Sequence, residues 1–328
     1  MNQLETPILF LAFNRPAQTS RVFESIRAVR PKRLYIAIDG PRIGRADDIT
    51  NREEVLSIVK NIDWPCKAKY LIHEENKGCS LSGYLAWKWF FDYEDHMIFI
   101  EDDGLGNESA FRFMEDMLER YADDSRIAYV GGVNYGLKFG NASYFFSRPP
   151  AATYFMGTWK RVFEKYEYEV ESFRKNRFSL KFIKHFNTIT EYLVITSSIN
   201  QYLESILKGN RLSTYDQQMI YLSYKYDMYS IYPNVNMVSN IGLDEGANNH
   251  YSKDDPFYIE YGNRQRKDLD TLVHPSNFMI DRKFEKIFFK KRCLYNKPWF
   301  GNWIRVNMPS SIRYSLSYLK HLIWKIKK

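Results

Sequence analysis

Cysteine is scarce, glycine-rich phosphate loops are missing, and no apolar run is long, and each shortage removes a class of function. Only three cysteines, Cys66, Cys79 and Cys293, occur in 328 residues. Their spacing matches no zinc motif and they cannot all pair within one chain, so a reducing cytosol is the simplest setting and a disulfide scaffold is excluded. Neither G-x-G-x-x-G nor G-x-x-x-x-G-K-[ST] is present, which takes away the main support for a nicotinamide or ATP-hydrolysing enzyme. Bound phosphates would have to meet a metal and basic side chains instead of a backbone cradle. No stretch approaches the roughly 18 apolar residues that span a bilayer. Met1 leads into a strand-like segment without a basic region, apolar core or cleavage site, so no signal peptide is expected. Repeats and low-complexity tracts are also lacking. The expected location is the cytoplasm, with membrane contact only peripheral, on the inner face of the cell membrane.

What is present is a globular composition, 45% hydrophobic, with a formal net charge of +8. The positive excess gathers from Arg282 to Lys328, where Trp299, Phe300, Trp303, Ile304, Leu319 and Trp324 alternate with Arg305, Arg313, Lys320 and Lys325. Aromatic and aliphatic residues mixed with cations suit an interfacial helix on anionic lipid; a helix packed on the domain or an oligomer contact reads the same way. A body without a basic, aromatic-interleaved groove gives no expectation of nucleic acid as a partner.

Along the chain, Ile8 to Phe13 reads as a buried strand, followed by Asn14-Arg15-Pro16 with Pro16 at the first helical position. Val22, Phe23, Ile26 and Val29 recur at helical spacing, Leu34 to Ile38 is a second strand, and Asp39-Gly40-Pro41-Arg42 is a turn. Ala46 to Asn61 is helical, Lys69 to Ile72 a short strand, and Leu81, Leu85 and Trp89 pattern another helix after the polar loop Glu74 to Gly78. Then comes H-M-I-F-I-E-D-D, His96 to Asp103, an apolar run that releases three carboxylates at its end. Such alternation predicts a mostly parallel sheet flanked by helices. Ligands of open α/β sheets bind outside the carboxyl ends of the strands, so Arg15, Asp39, the loop with Asn76 and Lys77, and Asp102-Asp103 are expected along one rim. Hard oxygen ligands there favour Mg²⁺ or Mn²⁺. Beyond the triplet, a helix is expected around Phe111 to Tyr121, a strand at Ile127 to Val130, a loop from Asn134 to Ala152 and a helix opening at Met156 to Arg161. Helices follow over Phe182 to Leu207 and Tyr215 to Tyr224, then a strand-like Ile231 to Val238 and a polar loop from Ser239 to His250.

The order L-A-F-N-R-P, I-D-G, E-N-K-G-C, I-F-I-E-D-D, F-M-G-T-W-K-R, Y-D-Q-Q-M and P-N-V-N-M-V-S-N-I-G, spread over roughly residues 6 to 251, resembles bacterial nucleotide-sugar glycosyltransferases of the GT-A fold. These are distantly similar to the animal N-acetylglucosaminyltransferase that starts complex N-glycans. The resemblance implies a Rossmann-like GT-A domain over residues 1–260, with a nucleotide-sugar half (1–130) and an acceptor half (131–260), and a basic, partly helical extension over 261–328. It implies metal-assisted, inverting transfer of a hexosyl or N-acetylhexosaminyl unit from a nucleotide diphosphosugar, UDP-linked, to a glycan or lipid-linked saccharide in surface polysaccharide synthesis. By that resemblance Arg15, Asp39, Asn76, Lys77 and Asp102 would hold the nucleotide sugar, Asp103 and His250 the Mn²⁺ or Mg²⁺, and Asp216 would be the catalytic base. Trp159, Tyr215 and Glu101 would line the acceptor or sugar pocket. The chain departs from the pattern at Tyr215 and Met219, where tryptophans are expected, and at Met156-Gly157 within the G-W-A-T-W-K-R motif. A sugar-phosphate nucleotidyltransferase stays open, although Leu9 to Arg15 lacks the Gly-rich basic loop expected of one, as does a non-catalytic carbohydrate- or membrane-binding scaffold.

Overall fold

A computed structural model describes residues 2–209, 214–242 and 265–293. His250 and the aromatic, basic stretch after Trp299 lie outside the described residues. The first half follows the predicted alternation: β1 (Ile8–Ala12), α1 (Pro16–Val29), β2 (Arg33–Ile38), α2 (Ala46–Lys60), β3 (Lys67–Ile72), α3 (Cys79–Phe91) and β4 (His96–Glu101). A short β5 (Gly104–Gly106) and α4 (Glu108–Arg120) lead to β6 (Ile127–Gly131), β7 (Tyr144–Ser147) and β8 (Phe155–Trp159). Helices α5 (Lys160–Phe163), α6 (Phe173–Asn176), α7 (Leu180–Ile183), α8 (Ile189–Leu207) and α9 (Asp216–Tyr226) precede β9 (Tyr229–Pro233), β10 (Val238–Asn240) and α10 (Arg282–Cys293).

Eight strands form one sheet in the order β3-β2-β1-β4-β8-β6-β9-β7. Only β8 and β7 run against the others, so the sheet is mostly parallel. Every residue of β1, β6 and β8 is buried, as a strand covered on both faces by helices requires. β3, at the edge, is largely exposed and carries Lys67 and Lys69, charges that discourage a further strand from pairing there. Among the described residues no helix is long and apolar enough to cross a membrane.

Three local expectations are corrected. The stretch expected as a loop, Asn134 to Ala152, contains β7, whose Tyr-Phe-Phe-Ser is buried against β9. Met156 to Arg161 was expected to open a helix, but Phe155–Trp159 is a central strand, and the lack of a side chain at Gly157 lets Leu118 pack onto it. Phe182 to Leu207 is broken: α7 ends at Ile183 and α8 restarts at Ile189, capped by Thr188, whose hydroxyl accepts from the Glu191 N–H at 3.1 Å. Helix α3 buries Gly83, Ala86, Trp87 and Phe90, while Leu81, Leu85 and Trp89 stay only half-buried. Small residues win the inward face because the helix lies close: a Cβ at Gly83 would come within 2.9 Å of the Tyr215 ring.

The β5–β10 ribbon is a second sheet placed directly after the acidic triplet, pairing Gly104 with Asn240 and Gly106 with Val238. A Cβ at Gly104 would lie 2.1 Å from the carbonyl oxygen of Tyr154, the same oxygen that accepts from the Glu101 N–H at 2.9 Å. Gly104→Ala must therefore push β4 and residue 154 apart, and overpacking of this kind costs about 2 kcal/mol. Urea denaturation should show that loss; an unchanged midpoint would mean the junction is slack.

Candidate functional site at the carboxyl rim

Parallel pairing of β1 and β4, with Leu11 opposite Glu101, brings the two strand ends together. Arg15 precedes α1 as its N-cap residue, with Pro16 supplying the first turn without an N–H to satisfy. Its guanidinium reaches the acidic triplet: Nη2 bonds Oδ1 of Asp102, and Nη1 lies 3.2 Å from Oδ2 of Asp103. Both aspartates are buried. The second oxygen of Asp102 is 3.4 Å from the Phe13 N–H. Oδ1 of Asp103, in contrast, is buried with no hydrogen-bond partner among the described residues. Backbone closes in from the ribbon side: the Ile241 N–H donates to the Asp103 carbonyl at 2.8 Å, and a Cβ at Gly242 would sit 2.4 Å from Asp103 Oδ2.

One guanidinium thus faces two adjacent buried carboxylates. Burial raises the pKa of Asp103 above the usual carboxylate range, Arg15 opposes the rise and Asp102 adds to it. Burial works against the charge of Arg15, but Asp102 and Asp103 more than compensate and raise its pKa further. Glu101 is pushed up to about 8, first by burial and then by Asp103, despite a hydrogen bond from the Tyr215 hydroxyl to its Oε1; Asp216 adds to the rise. Cys79, at the first position of α3, keeps exposed surface, and its thiol is raised above its ordinary range by partial desolvation and by Glu101, Asp216, Asp103 and Asp102 in turn. It is no ready thiolate.

The rest of the rim is hydrogen-bonded internally. Asp39 accepts four bonds: its Oδ1 takes the N–H of Gly40 at 2.9 Å and of Lys77 at 2.8 Å, and its Oδ2 takes the Asn76 side-chain amide and the Gly78 N–H, both at 3.0 Å. Asn76 also donates to the Gly40 carbonyl at 3.0 Å. The 74–78 loop sits so close that a Cβ at Gly40 would lie 2.2 Å from the backbone of Glu75. Asp39 and Asn76 therefore work here as a clasp between β2 and α3, and the Lys77 ammonium makes only a surface pair with Glu75 at 3.7 Å.

Asp216 opens α9 and lies close enough to act electrostatically on Glu101, Tyr215 and Cys79. Tyr215 is buried between Trp87 and Phe99, ring centroids 5.5 and 6.2 Å away, so it reaches the rim only through its hydroxyl on Glu101. Trp159 does not belong to the site. Because β8 runs antiparallel to β4, Trp159 pairs with His96 and Phe155 with Ile100, which puts the indole a strand's length, about 16 Å, from the triplet. There it is buried, donates to the Leu118 carbonyl at 3.1 Å and lies under the Arg161 guanidinium. Among the described residues no group of three or more His, Cys, Asp or Glu side chains could hold a metal ion alone.

Two participants had weak signals in the sequence. Cys79, within E-N-K-G-C, joins the carboxylates because the helix it begins starts at the rim. The other is a network behind Arg15: Asp48 of α2, with no exposed side-chain surface, accepts from Nε and Nη2 of Arg42 at 2.7 Å, from the Arg42 N–H at 3.0 Å and from the Asn14 amide at 2.6 Å. An aspartate in the first turn of a helix looks like an ordinary dipole partner, and only the return of the 39–45 turn reveals the bidentate arginine.

No family model matches the sequence, and no curated protein does. Among solved structures, HddC from Yersinia pseudotuberculosis aligns over 49% of this chain and 80% of its own at 13% identity, with a TM-score of 0.30. The inositol-1-phosphate CTP transferase from T. maritima aligns over 50% of this chain and 74% of its own at 10% identity, also with a TM-score of 0.30. The expectation of a GT-A glycosyltransferase is corrected here, since the chain aligns with a CTP transferase where a sugar transferase was expected. Glycosyl transfer is withdrawn, and with it the task of Asp216 as the base for an acceptor hydroxyl. Likeness at this TM-score assigns no reaction to this chain, and the chemistry has to be argued from the rim itself.

The Arg42–Asp48 network makes a prediction about acid stability. The hydrogen bonds from Arg42, opposed by burial and helped by Asn14, hold Asp48 at about 2, below the roughly 3.9 of an unfolded aspartate. Its folded pKa is depressed, so the stabilisation is complete above pH 4 and is lost as pH falls toward 2. By linkage it amounts to about 2 kcal/mol. Asp48→Asn should lower stability by that order at pH 7 and by much less at pH 2; chemical denaturation at both values checks it, and an equal loss at both would refute it.

Proposed function

We propose that the rim is the nucleotide-phosphate site of a cation-assisted transferase, and that the reaction is nucleotidyl transfer from a nucleoside triphosphate to a sugar phosphate. The observation that carries this reading is the buried Oδ1 of Asp103, which has no hydrogen-bond partner among the described residues, beside a charge set that does not balance. Asp102 and Asp103 bring two negative charges and Arg15 one positive, so the corner alone repels a phosphate. A divalent cation held by Asp103 when bound would reverse that sign and face the phosphates with positive charge. The donor set suits Mg²⁺ or Mn²⁺, since such ions are commonly bound through one or two carboxylates and complete their shells with water and substrate phosphates.

The residues of the chain divide the remaining work. Arg15 keeps its charge and occupies Asp102 and only one oxygen of Asp103, which leaves Oδ1 of Asp103 for the cation. The Asp39 clasp fixes the 74–78 loop as a wall beside the nucleotide. Glu101, held above the usual carboxylate range by burial and then by Asp103, stands beside these groups with its Oε1 accepting from the Tyr215 hydroxyl. In the transfer, an oxygen of the sugar phosphate bonds to the α-phosphorus while the bond to the β-phosphate oxygen breaks and pyrophosphate leaves. The attacking phosphate is already ionised at neutral pH, so this chemistry needs charge neutralisation and alignment but no general base.

The test pairs each common nucleoside triphosphate with hexose 1-phosphates in Mg²⁺ and measures pyrophosphate. At least one pair should release it, EDTA should stop it, and Asp103→Asn should lower kcat/KM by about 100-fold or more with the fold intact. Absence of pyrophosphate with every pair, or an Asp103→Asn variant of normal activity, would overturn the reading.

A further inference from the structure

The stretch between Glu171 and Glu191 contains Arg174, Lys175, Arg177, Lys181 and Lys184 and no acidic residue. It also leaves large apolar side chains in water: Phe178 is 63% exposed, Leu180 83% and Ile189 67%. We propose that this face, carried by α6, α7 and the start of α8, binds the surface of an anionic lipid bilayer.

The exposure is built in. Phe173 of α6 and Phe182 of α7 point inward, their rings 5.4 and 6.0 Å from that of Tyr221 and 6.3 Å from each other. With those anchors set and Ser179 capping α7 through the Phe182 N–H, Phe178 in the link and Leu180 at the first helical position are held outward. The cations divide in the same manner. Arg177 turns in, donating to Asn200 at 2.8 Å with its guanidinium over the Phe178 ring. Arg174, Lys175, Lys181 and Lys184 are exposed, and among the described residues none of the four forms an ion pair. Glu191, the acid that ends the stretch, is buried and engaged by the Tyr224 hydroxyl and the Asn187 N–H. Glu169 and Glu171 lie exposed on the other flank and mark its edge.

Cations that reach headgroup phosphates, combined with apolar tips that enter the acyl boundary, are what an interfacial surface requires. Nucleic acid fits less well, because Leu180 and Ile189 have neither an aromatic face for a base nor a donor for a phosphate. The binding is independent of the rim chemistry.

Co-sedimentation of the full-length protein with vesicles tests this. The protein should bind phosphatidylcholine vesicles containing phosphatidylglycerol, ignore pure phosphatidylcholine, and release in high salt. The triple variant K175E/K181E/K184E and the pair F178S/L180S should each bind at least about tenfold more weakly with unchanged melting temperature, as suits surface positions. The proposal is overturned if wild type binds neither vesicle, or if both variants bind as wild type does, which would move the contact elsewhere on the chain. It also fails if F178S/L180S is unaffected while heparin competes fully, which would make this a general polyanion surface.

Discussion

Everything at the rim depends on the Arg15 guanidinium lying between two neighbouring carboxylates. Adjacent buried aspartates cannot both remain ionised without a counter-charge, and the chain supplies one from the neighbouring parallel strand. The register of β1 against β4 is therefore as much an electrostatic condition as a packing one: it sets the start of α1 beside the residues that follow Glu101. The backbone has to yield room for this. Gly104 passes the Tyr154 carbonyl and Gly242 passes Asp103 and Arg15 at distances no side chain would allow. The two-stranded ribbon thus serves as the wall that keeps Asp103 dry.

The aspartates of the rim differ chiefly in how far their oxygens are already satisfied. Asp39 and Asp48 each accept four hydrogen bonds from their own chain. A carboxylate so occupied holds loops together, and it could meet a ligand only by giving up bonds it already has. Asp103 keeps one oxygen without a partner among the described residues. Saturation, more than position in a motif, separates the residues that build this rim from the one with capacity to spare.

Much of the first hundred residues was legible in the sequence because β1, β2 and β4 are short apolar runs closed by turn residues, with helical segments between them. Period and punctuation carry that information locally. The second half was harder: β7 and β8 are buried along their whole length, so their alternation vanishes, and nothing near Gly157 in the sequence marks it as a packing surface for Leu118. At the site, the grouping of Arg15 with Asp102 and Asp103 could be anticipated from strand ends. The saturation of Asp39, the remote place of Trp159 and the arrival of Cys79 could not, because each is decided by a long-range contact: the 74–78 loop, an antiparallel neighbour, and the helix that starts at the rim.

Helix α9 joins the two features that matter most. Its first residue, Asp216, stands beside Glu101 and Cys79, while Tyr221, five positions on and roughly 7–8 Å along the axis, is the ring onto which Phe173 and Phe182 close. At the rim end the helix is pinned by Tyr215 between Trp87, Phe99 and the bare backbone of Gly83. An element whose first residue acts on the acidic corner and whose middle holds the anchors of the basic, apolar face links one to the other. With that face on a bilayer, the direction from which a substrate reaches Asp103 would be set by a single short helix.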